Sequence, residues 1–143
     1  AIGFSAPARV TYVPPAAEAA TKGFATLLRA KAPLWICDAY AEPGALAPLA
    51  SILPDGRLLT TQKRIQPDCI TEVWARSQGV EVKVQSKTLH DRFVVGSQHG
   101  FLIGTSLNSL GKNHSFLVEL NAVMRATVRD VFEELWESAR VPW

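Results

Sequence analysis

Two neighbouring segments, Leu89-His-Asp-Arg-Phe-Val-Val95 and Phe101-Leu-Ile-Gly-Thr-Ser-Leu-Asn108, carry most of the information about the fold. The apolar runs 93–95 and 101–103 predict two short strands, and the segment 96–100 between them suits a hairpin turn. Short apolar runs bounded by turn residues are typical of strands buried in a sheet. The two segments therefore predict an antiparallel pair inside a larger sheet.

The same segments carry polar residues at the ends of the strands. His90 and Arg92 are two positions apart, so on an extended strand their side chains point to the same face. The second strand ends in Gly104, Thr105 and Ser106, a turn of small residues whose backbone N–H groups suit an anion. An imidazole, a guanidinium and such a turn together predict a phosphate site.

Outward from these segments, helical and strand patterns alternate along the chain. Residues 1–13 are expected to form an extended lead-in, and Asp55-Gly56 predicts a turn. In the predicted helix 67–77, the expected buried residues are Ile70, Val73 and Trp74. In the predicted helix 127–140, they are Val128, Val131, Phe132, Leu135 and Trp136. Further strands are predicted at 33–37, 57–61, 80–84 and 115–121, and helices at 16–31, 44–53, 67–77 and 127–140.

This order of elements predicts an α/β sandwich with a central mixed β-sheet flanked by helices. The chain has 143 residues, 48% of them hydrophobic and 20% charged, which fits a single folded domain over 1–143 and excludes a disordered or collagen-like protein. The formal net charge is only +2. Any basic surface must therefore come from local clustering of Lys and Arg.

The sequence contains two cysteines, Cys37 and Cys69, in no metal-ligand spacing. Two buried thiols are the favoured interpretation, and a single disulfide stays open. No apolar run approaches the roughly 20 residues that span a bilayer. Because the sequence begins at Ala1, we expect a processed chain or part of a longer one. A cytoplasmic location is favoured, and a secreted or periplasmic one stays open.

The residues from His90 onward resemble the motif of the phospholipase D superfamily, which runs His-x-Lys, then Asp, then Gly-Ser with a nearby Asn. Arg92 stands at the position of the Lys, Ser97 at that of the Asp, and Gly104 at that of the Gly. The segments 35–40, 78–86 and 132–136 are similar to other parts of the family, so the resemblance covers about residues 33–138. His90-Asp-Arg-Phe93 and the run 104–112 resemble a variant branch of that superfamily.

The resemblance implies a mechanism without a metal ion or other cofactor. His90 would attack a phosphodiester phosphorus and form a phosphohistidine, while a second His protonates the leaving oxygen and water completes the hydrolysis. Arg92 would clamp the phosphate, and Glu119 would hold the imidazole tautomer. Since the chain carries one motif, the second His must come from another copy. The implied enzyme is a homodimer.

Further residues are expected to bind the substrate. Loops that follow strands meet at one edge of such a sheet, and Asp38 and Lys63 each follow a predicted strand. With the phosphate-binding turn, the candidate substrate-binding residues are Asp38, Lys63, Gly104, Thr105, Ser106, Asn108 and Lys112. Simpler roles stay open, namely an ion pair of Arg92 with Asp91 or Glu119, a cap or turn at Asp38, and solvated lysines. His99 and His114 have no partner spacing and are interpreted as surface residues.

Three functions follow from the resemblance. The first is a metal-independent phosphodiesterase of the nuclease type, with DNA or RNA as the expected substrate. The second is a catalytically degenerate module that binds phosphate groups as part of a larger protein. The third is a domain that mediates protein interaction. A hydrolase acting on phosphodiester bonds is the leading hypothesis.

Overall fold

The computed structural model describes residues 9–13, 34–39, 55–61, 69–86, 91–104 and 115–143. Seven strands and two helices lie within these ranges. In chain order they are β1 (Arg9–Val13), β2 (Trp35–Cys37), β3 (Arg57–Thr61), α1 (Cys69–Gln78), β4 (Glu81–Gln85), β5 (Arg92–Val95), β6 (Gly100–Ile103), β7 (Ser115–Glu119) and α2 (Ala122–Glu137). The predicted helices 16–31 and 44–53 lie outside the described residues.

All seven strands belong to one sheet in the order β1-β7-β6-β5-β2-β3-β4. The strands β2, β3 and β4 run parallel to one another, whereas β5, β6, β7 and β1 pair antiparallel. The antiparallel pairing of β2 with β5 joins the two halves. The sheet is therefore mixed, and with its helices it confirms the predicted α/β class. The part of the predicted lead-in that is described, β1, is an edge strand of this sheet.

One side of the sheet packs against α2. The core on this side contains Cys37, Leu59, Phe93 and Val95 of the sheet, with Phe132 and Trp136 of the helix. Burial of these apolar side chains is the main force that holds the helix on the sheet. Because side chains alternate along a strand, the residues between these positions point to the opposite side. Those residues include Ile36, Leu58 and Val94, which are also buried.

Helix α2 begins at Ala122, five residues before the predicted start at 127. The reason is a capping hydrogen bond, in which the backbone N–H of Met124 donates to Oδ1 of Asn121 at 2.9 Å. Such a bond satisfies one of the unpaired N–H groups of the first turn. Phe132 and Trp136 are buried as expected, with Val128 and Leu135 partly buried against the same core. Val131 is 43% exposed, so its assignment to the buried face was wrong.

Helix α1 covers most of the predicted helix 67–77, but its buried face differs. Val73 is 64% exposed, whereas the small side chain of Ala75 is fully buried. The helix contacts β4, which follows it in the chain, and the backbone N–H of Val80 donates to the carbonyl of Ala75 at 2.9 Å. The chain turns sharply at Gly79, where φ is +67°, and enters β4. This turn packs the Ala75 side of α1 against the sheet. Val73 is thereby turned to solvent.

The predicted strands 33–37, 57–61 and 80–84 agree with β2, β3 and β4, whereas the strand predicted at 115–121 ends earlier, at Glu119. In β4, Val82 and Val84 are buried and Glu81 is exposed, which is the expected alternation. The turn predicted at Asp55 is confirmed by its φ of 60°. The segment between β5 and β6 is a hairpin, in which the backbone N–H of Gly96 donates to the carbonyl of His99 at 2.8 Å.

Candidate phosphate-binding site

Four of the ten predicted site residues belong to the described part of the chain. Arg92 begins β5, Asp38 follows β2, Gly104 follows β6, and Glu119 ends β7. The other predicted site residues, which lie outside the described residues, are Lys63, His90, Thr105, Ser106, Asn108 and Lys112. The geometry of the site is therefore built from the first four and their neighbours.

The sheet brings Asp38 and Arg92 to opposite positions on neighbouring strands. In the antiparallel pairing of β2 with β5, Cys37 lies opposite Phe93. The next step of this register places Asp38 opposite Arg92. Cys37, Ala39 and Phe93 all face α2, so alternation turns Asp38 and Arg92 to the other side of the sheet. Two residues that are 54 positions apart in the chain thus share one side of one sheet edge.

Thr60 extends this arrangement onto a third strand. Strand β3 runs parallel to β2, with Leu59 beside Cys37, and the backbone N–H of Asp38 donates to the carbonyl of Leu59 at 3.0 Å. Leu59 faces α2, so Thr60 points to the same side as Asp38. We call Thr60, Asp38 and Arg92 the polar row. It lies where the carboxyl ends of β2 and β3 meet the amino end of β5.

The three residues of the polar row are buried to different degrees. Asp38 and Thr60 are each 0% exposed, whereas Arg92 is half-buried. The hydroxyl oxygen of Thr60 is buried and has no hydrogen-bond partner within the described structure. Complete burial means that the Asp38 carboxylate does not face solvent, so the structure does not place it as a direct ligand of a dissolved substrate. Thr60 was missed from the sequence, although a polar residue near the end of the buried run 57–61 was a signal.

Gly104 lies at the same end of the sheet, one residue beyond Ile103, which pairs with Arg92. Its backbone N–H donates to the carbonyl of Phe116 at 3.0 Å. A Cβ atom at this position would approach Ser115 Oγ to 3.3 Å and the backbone of Phe116 to 3.4 Å. Close packing of β6 on β7 therefore favours a glycine here. The chain that follows, which carries the predicted anion-binding turn, departs from this point.

An open pocket of about 310 Å³ lies beside this edge. Phe116, which contributes to its wall, is exposed, and its ring lies 5.4 Å from that of Tyr12. Among the described residues of the wall, most are apolar, and Asp91 and Arg92 are charged. The lining residues are Asp91, Arg92, Leu102, Ile103, Gly104, Phe116 and Val118.

Glu119 lies away from the polar row. It pairs with Phe101 near the start of β6, whereas Arg92 pairs with Ile103 at its end. Its carboxylate lies 3.7 Å from Nδ1 of His99 and 4.0 Å from Nε of Arg9. The structure therefore does not bring Glu119 together with Arg92, and it gives His99 an acidic neighbour that the sequence did not indicate. The reason is the length of β7, which places Glu119 and Gly104 at opposite ends of the sheet.

Ser97, at the position of the motif Asp, is exposed in the hairpin between β5 and β6. This hairpin follows the end of β5 that is distant from Arg92. Ser97 therefore lies away from Arg92, at the other end of β5.

Cys37 is a free, buried thiol, which excludes the disulfide with Cys69. Burial, together with smaller effects of the negative charges of Asp38 and Asp91, raises the pKa of this thiol from 9.0 to about 12. The thiol is therefore protonated near neutral pH, so it lacks the thiolate that a cysteine nucleophile requires. Its Sγ lies 3.9 Å from the carbonyl oxygen of Asp91.

Within the described ranges, no three His, Cys, Asp or Glu side chains are grouped as metal ligands. No helix in the same ranges has the length and apolar character needed to cross a membrane.

Comparison with known proteins relates the chain to solved structures by fold, and three of these are described here. No family model and no curated protein sequence matches it. Nuc from Salmonella typhimurium, a phospholipase D family member, is 11% identical over 94% of this chain and 97% of its own, with a TM-score of 0.68. NucT from Helicobacter pylori is 7% identical over 94% and 98%, with a TM-score of 0.72. TrmBL2, an archaeal chromatin protein with a novel mode of DNA binding, is 14% identical over 98% of this chain and 56% of its own, with a TM-score of 0.63.

Proposed function

We propose that this chain, which has a phospholipase D-like fold, hydrolyses phosphodiester bonds through a phosphohistidine formed on His90. The fold is shown by the similarity to Nuc over nearly the whole of both chains. The observation that carries the proposal is the position of Arg92, a half-buried cation at the amino end of β5. His90 precedes it by two residues, the spacing that places two side chains on one face of a strand.

In this mechanism each group of the site has one task. Arg92 holds two phosphate oxygens through its planar fork, which lowers the charge that an incoming nucleophile meets. The imidazole of His90 attacks phosphorus, the bond to the leaving oxygen breaks, and the His90 of a second copy donates the proton that this oxygen takes up. Water then cleaves the phosphohistidine. The reaction requires no metal ion, and it requires a homodimer.

The remaining contacts to the substrate come from the loops at the same edge. Thr105, Ser106, Asn108 and Lys112 follow Gly104 and would bind the non-bridging oxygens, and Lys63 follows β3 at the end where Thr60 lies. We propose DNA or RNA as the substrate, and the DNA binding named for TrmBL2 supports a polynucleotide ligand on this fold.

A second candidate, phosphate binding without turnover, is favoured by the presence of Arg92 where the motif has Lys. A guanidinium offers a rigid, bidentate grip on a phosphate group, whereas an ammonium is a compact point charge. A site built around the guanidinium of Arg92 can therefore bind a phosphate group without hydrolysing a phosphodiester bond. The two candidates share the ligand and differ in turnover.

Hydrolysis of bis-p-nitrophenyl phosphate and of plasmid DNA in EDTA separates them. We expect a metal-independent activity whose kcat falls about 10³-fold or more in His90→Ala. His99→Ala is the matched control, since His99 contacts Glu119 at the other end of the sheet, and it should retain the activity within about twofold. Equal rates in wild type and His90→Ala would remove the nucleophile and leave the binding candidate.

Affinity for inorganic phosphate, measured by calorimetry, tests the binding candidate. Arg92→Ala should weaken it by about 1.5–3 kcal/mol, which is roughly 10- to 150-fold. Sedimentation equilibrium tests the dimer, which should have twice the 15.6 kDa of one chain. A monomer without hydrolysis and without Arg92-dependent affinity would overturn both candidates.

A further inference from the structure

We infer that the Ser115 hydroxyl donates a hydrogen bond to the bound phosphate group, which it meets beside Gly104. The inference rests on the proposed function, because it takes phosphate as the ligand at this edge of the sheet. It deepens that proposal by adding a phosphate-binding residue on β7, a strand from which the sequence motif singled out no donor.

The first argument is the unsatisfied hydrogen-bonding capacity of Ser115. The residue is 3% exposed, and its Oγ atom is buried without a hydrogen-bond partner among the described residues. A hydroxyl that is removed from water and left unpaired destabilises the fold, whereas a partner gained on ligand binding recovers that loss. The buried hydroxyl therefore indicates that an acceptor binds at this position.

The second argument is the position of Ser115 in the sheet. Leu117 pairs with Ile103, which in turn pairs with Arg92. Ser115 precedes Leu117 by two residues, so its side chain points to the same side of the sheet as that of Arg92. Ser115 and Arg92 each begin their strand, and these strands run in the same direction on either side of β6. The hydroxyl and the guanidinium therefore share one side and one end of the sheet.

The distance between the two strands suits an anion held from both sides. Neighbouring strands lie about 4.8 Å apart, so β5 and β7 are separated by about 10 Å across β6. The long side chain of Arg92, with a phosphate group at its end, can span that separation. The two groups would then donate to different oxygens of one anion.

Gly104 stands between the Ser115 hydroxyl and the open pocket. It contributes to the wall of the 310 Å³ pocket, and a Cβ atom at this position would lie 3.3 Å from Ser115 Oγ. Since glycine has no side chain, it is the least bulky residue that can separate the two. The Gly104 N–H already donates to the carbonyl of Phe116, so the hydroxyl supplies a donor where this backbone group cannot.

The burial of Ser115 is compatible with an anionic ligand. A buried carboxylate repels a phosphate group, whereas a hydroxyl carries no charge and can donate to it. Hydrogen bonds to charged acceptors are stronger than those between neutral groups, and they gain further where water does not compete. A neutral donor beside a pocket that also contains Arg92 therefore fits phosphate.

Ser115→Ala distinguishes a phosphate ligand from a structural hydroxyl. Because the hydroxyl has no partner within the described part of the ligand-free protein, we expect the urea midpoint to stay the same or to rise. The Kd for inorganic phosphate in EDTA, measured by calorimetry, should rise about tenfold. An unchanged Kd would overturn the inference, and a lower midpoint beside it would assign the hydroxyl to an ordered structural water.

The matched control is Ser97→Ala, the same chemical change at an exposed position in the hairpin at the other end of β5. It should leave the Kd for phosphate within about twofold of wild type. A rise in Kd equal to that of Ser115→Ala would show that the effect is not specific to the buried hydroxyl, which would also overturn the inference.

Gly104→Ala tests whether the hydroxyl acts through the space beside Gly104. The added methyl group would lie 3.3 Å from Ser115 Oγ, so we expect the Kd to rise at least as much as in Ser115→Ala. In the double variant the hydroxyl is already blocked, so the Kd should equal that of Gly104→Ala alone. Losses that multiply would show that the two positions act independently, and the inference would be wrong.

The same measurements separate this inference from the proposed function. Phosphate binding that depends on Arg92 but not on Ser115 would overturn the inference and leave the proposed function in place. Binding that depends on Ser115 in a protein without activity on bis-p-nitrophenyl phosphate would retain the inference and refute hydrolysis. A wild-type protein that binds no phosphate would overturn the inference, whatever its activity.

Discussion

Oε1 of Glu119 lies 3.7 Å from Nδ1 of His99, which fixes this carboxylate at the hairpin end of the sheet. The same carboxylate lies 4.0 Å from Nε of Arg9 on the edge strand β1. Partly exposed polar contacts of this kind contribute about 0–1 kcal/mol to the free energy of unfolding. Glu119 therefore has a modest structural role, distant from the strand end that bears Arg92.

This position predicts a mild phenotype for Glu119→Gln. We expect kcat/KM for bis-p-nitrophenyl phosphate to stay within about twofold of wild type, and urea unfolding to show a loss of less than about 1 kcal/mol. His90→Ala is assayed in parallel, so that the fall in kcat/KM on loss of the proposed nucleophile is known for comparison. A fall in kcat for Glu119→Gln that approaches that of His90→Ala would reinstate Glu119 as the residue that orients the imidazole.

The buried thiol of Cys37 predicts resistance to alkylation and to disulfide reagents. With Cys69→Ala as the background, Cys37 is the single cysteine of the chain. We expect negligible reaction with a disulfide reagent at pH 8 in the folded protein and complete reaction after unfolding in guanidinium chloride, because the raised pKa and the burial both suppress the native thiolate. Rapid stoichiometric reaction of the folded protein would contradict both.

The same thiol predicts how stability depends on alkaline pH. Its pKa is 9.0 in the reference state and about 12 in the fold, so between these values the unfolded chain releases a proton that the folded chain retains. Stability from this group is complete below pH 9 and is lost as the pH rises toward 12. The free energy of unfolding of the Cys69→Ala background should fall more steeply across this window than that of the same background with Cys37→Ala. Parallel pH profiles would refute the shift.

The fold could be predicted from the sequence where the pattern of buried apolar residues alone determines the local structure. The predicted strand 57–61 coincides with β3, and the alternation of valines in β4 appears as alternating burial. The start of α2 was misplaced because Asn121 was taken as the end of a strand instead of a cap. Val73 was misplaced because helical periodicity does not reveal which side of a short helix packs against its neighbour.

The site was accessible only in part. The motif spacing singled out Arg92 and Gly104, and the rule that loops after strands converge singled out Asp38, which the register places opposite Arg92. The rule does not give the register between two strands 54 residues apart, which depends on tertiary packing. The opposition of Asp38 and Arg92, and the addition of Thr60, therefore required the structure. The distance between Glu119 and Arg92 likewise follows from the register of three strands and could not be predicted from the sequence.

The cap at Asn121 predicts a specific stability loss. Asn121→Ala removes the oxygen that accepts the hydrogen bond from the Met124 N–H, and should cost about 1 kcal/mol of unfolding free energy in urea. Asn121→Asp keeps an acceptor at the same place and should remain within about 0.5 kcal/mol of wild type. If the alanine variant is as stable as the aspartate variant, the start of α2 does not depend on this cap.

The aromatic stack of α2 predicts the largest effect in the described core. Phe132 is fully buried, with its ring centroid 5.2 Å from that of Trp35 and 5.5 Å from that of Trp136. Phe132→Ala leaves a cavity between the two indoles and should cost about 3–5 kcal/mol. Tryptophan fluorescence should change with it, since both indoles lose a packing partner.

The neighbouring residue in the same helix is a matched control for this effect. Val131 is exposed, so Val131→Ala removes little buried area and should change the free energy of unfolding by no more than about 0.5 kcal/mol. Comparable losses in the two variants would show that Val131 is buried, as the helical periodicity first indicated. The orientation of α2 on the sheet would then differ from the one described above. A large loss in Phe132→Ala alone, with altered fluorescence, would confirm that the Phe132 side of the helix packs against β2 and β5.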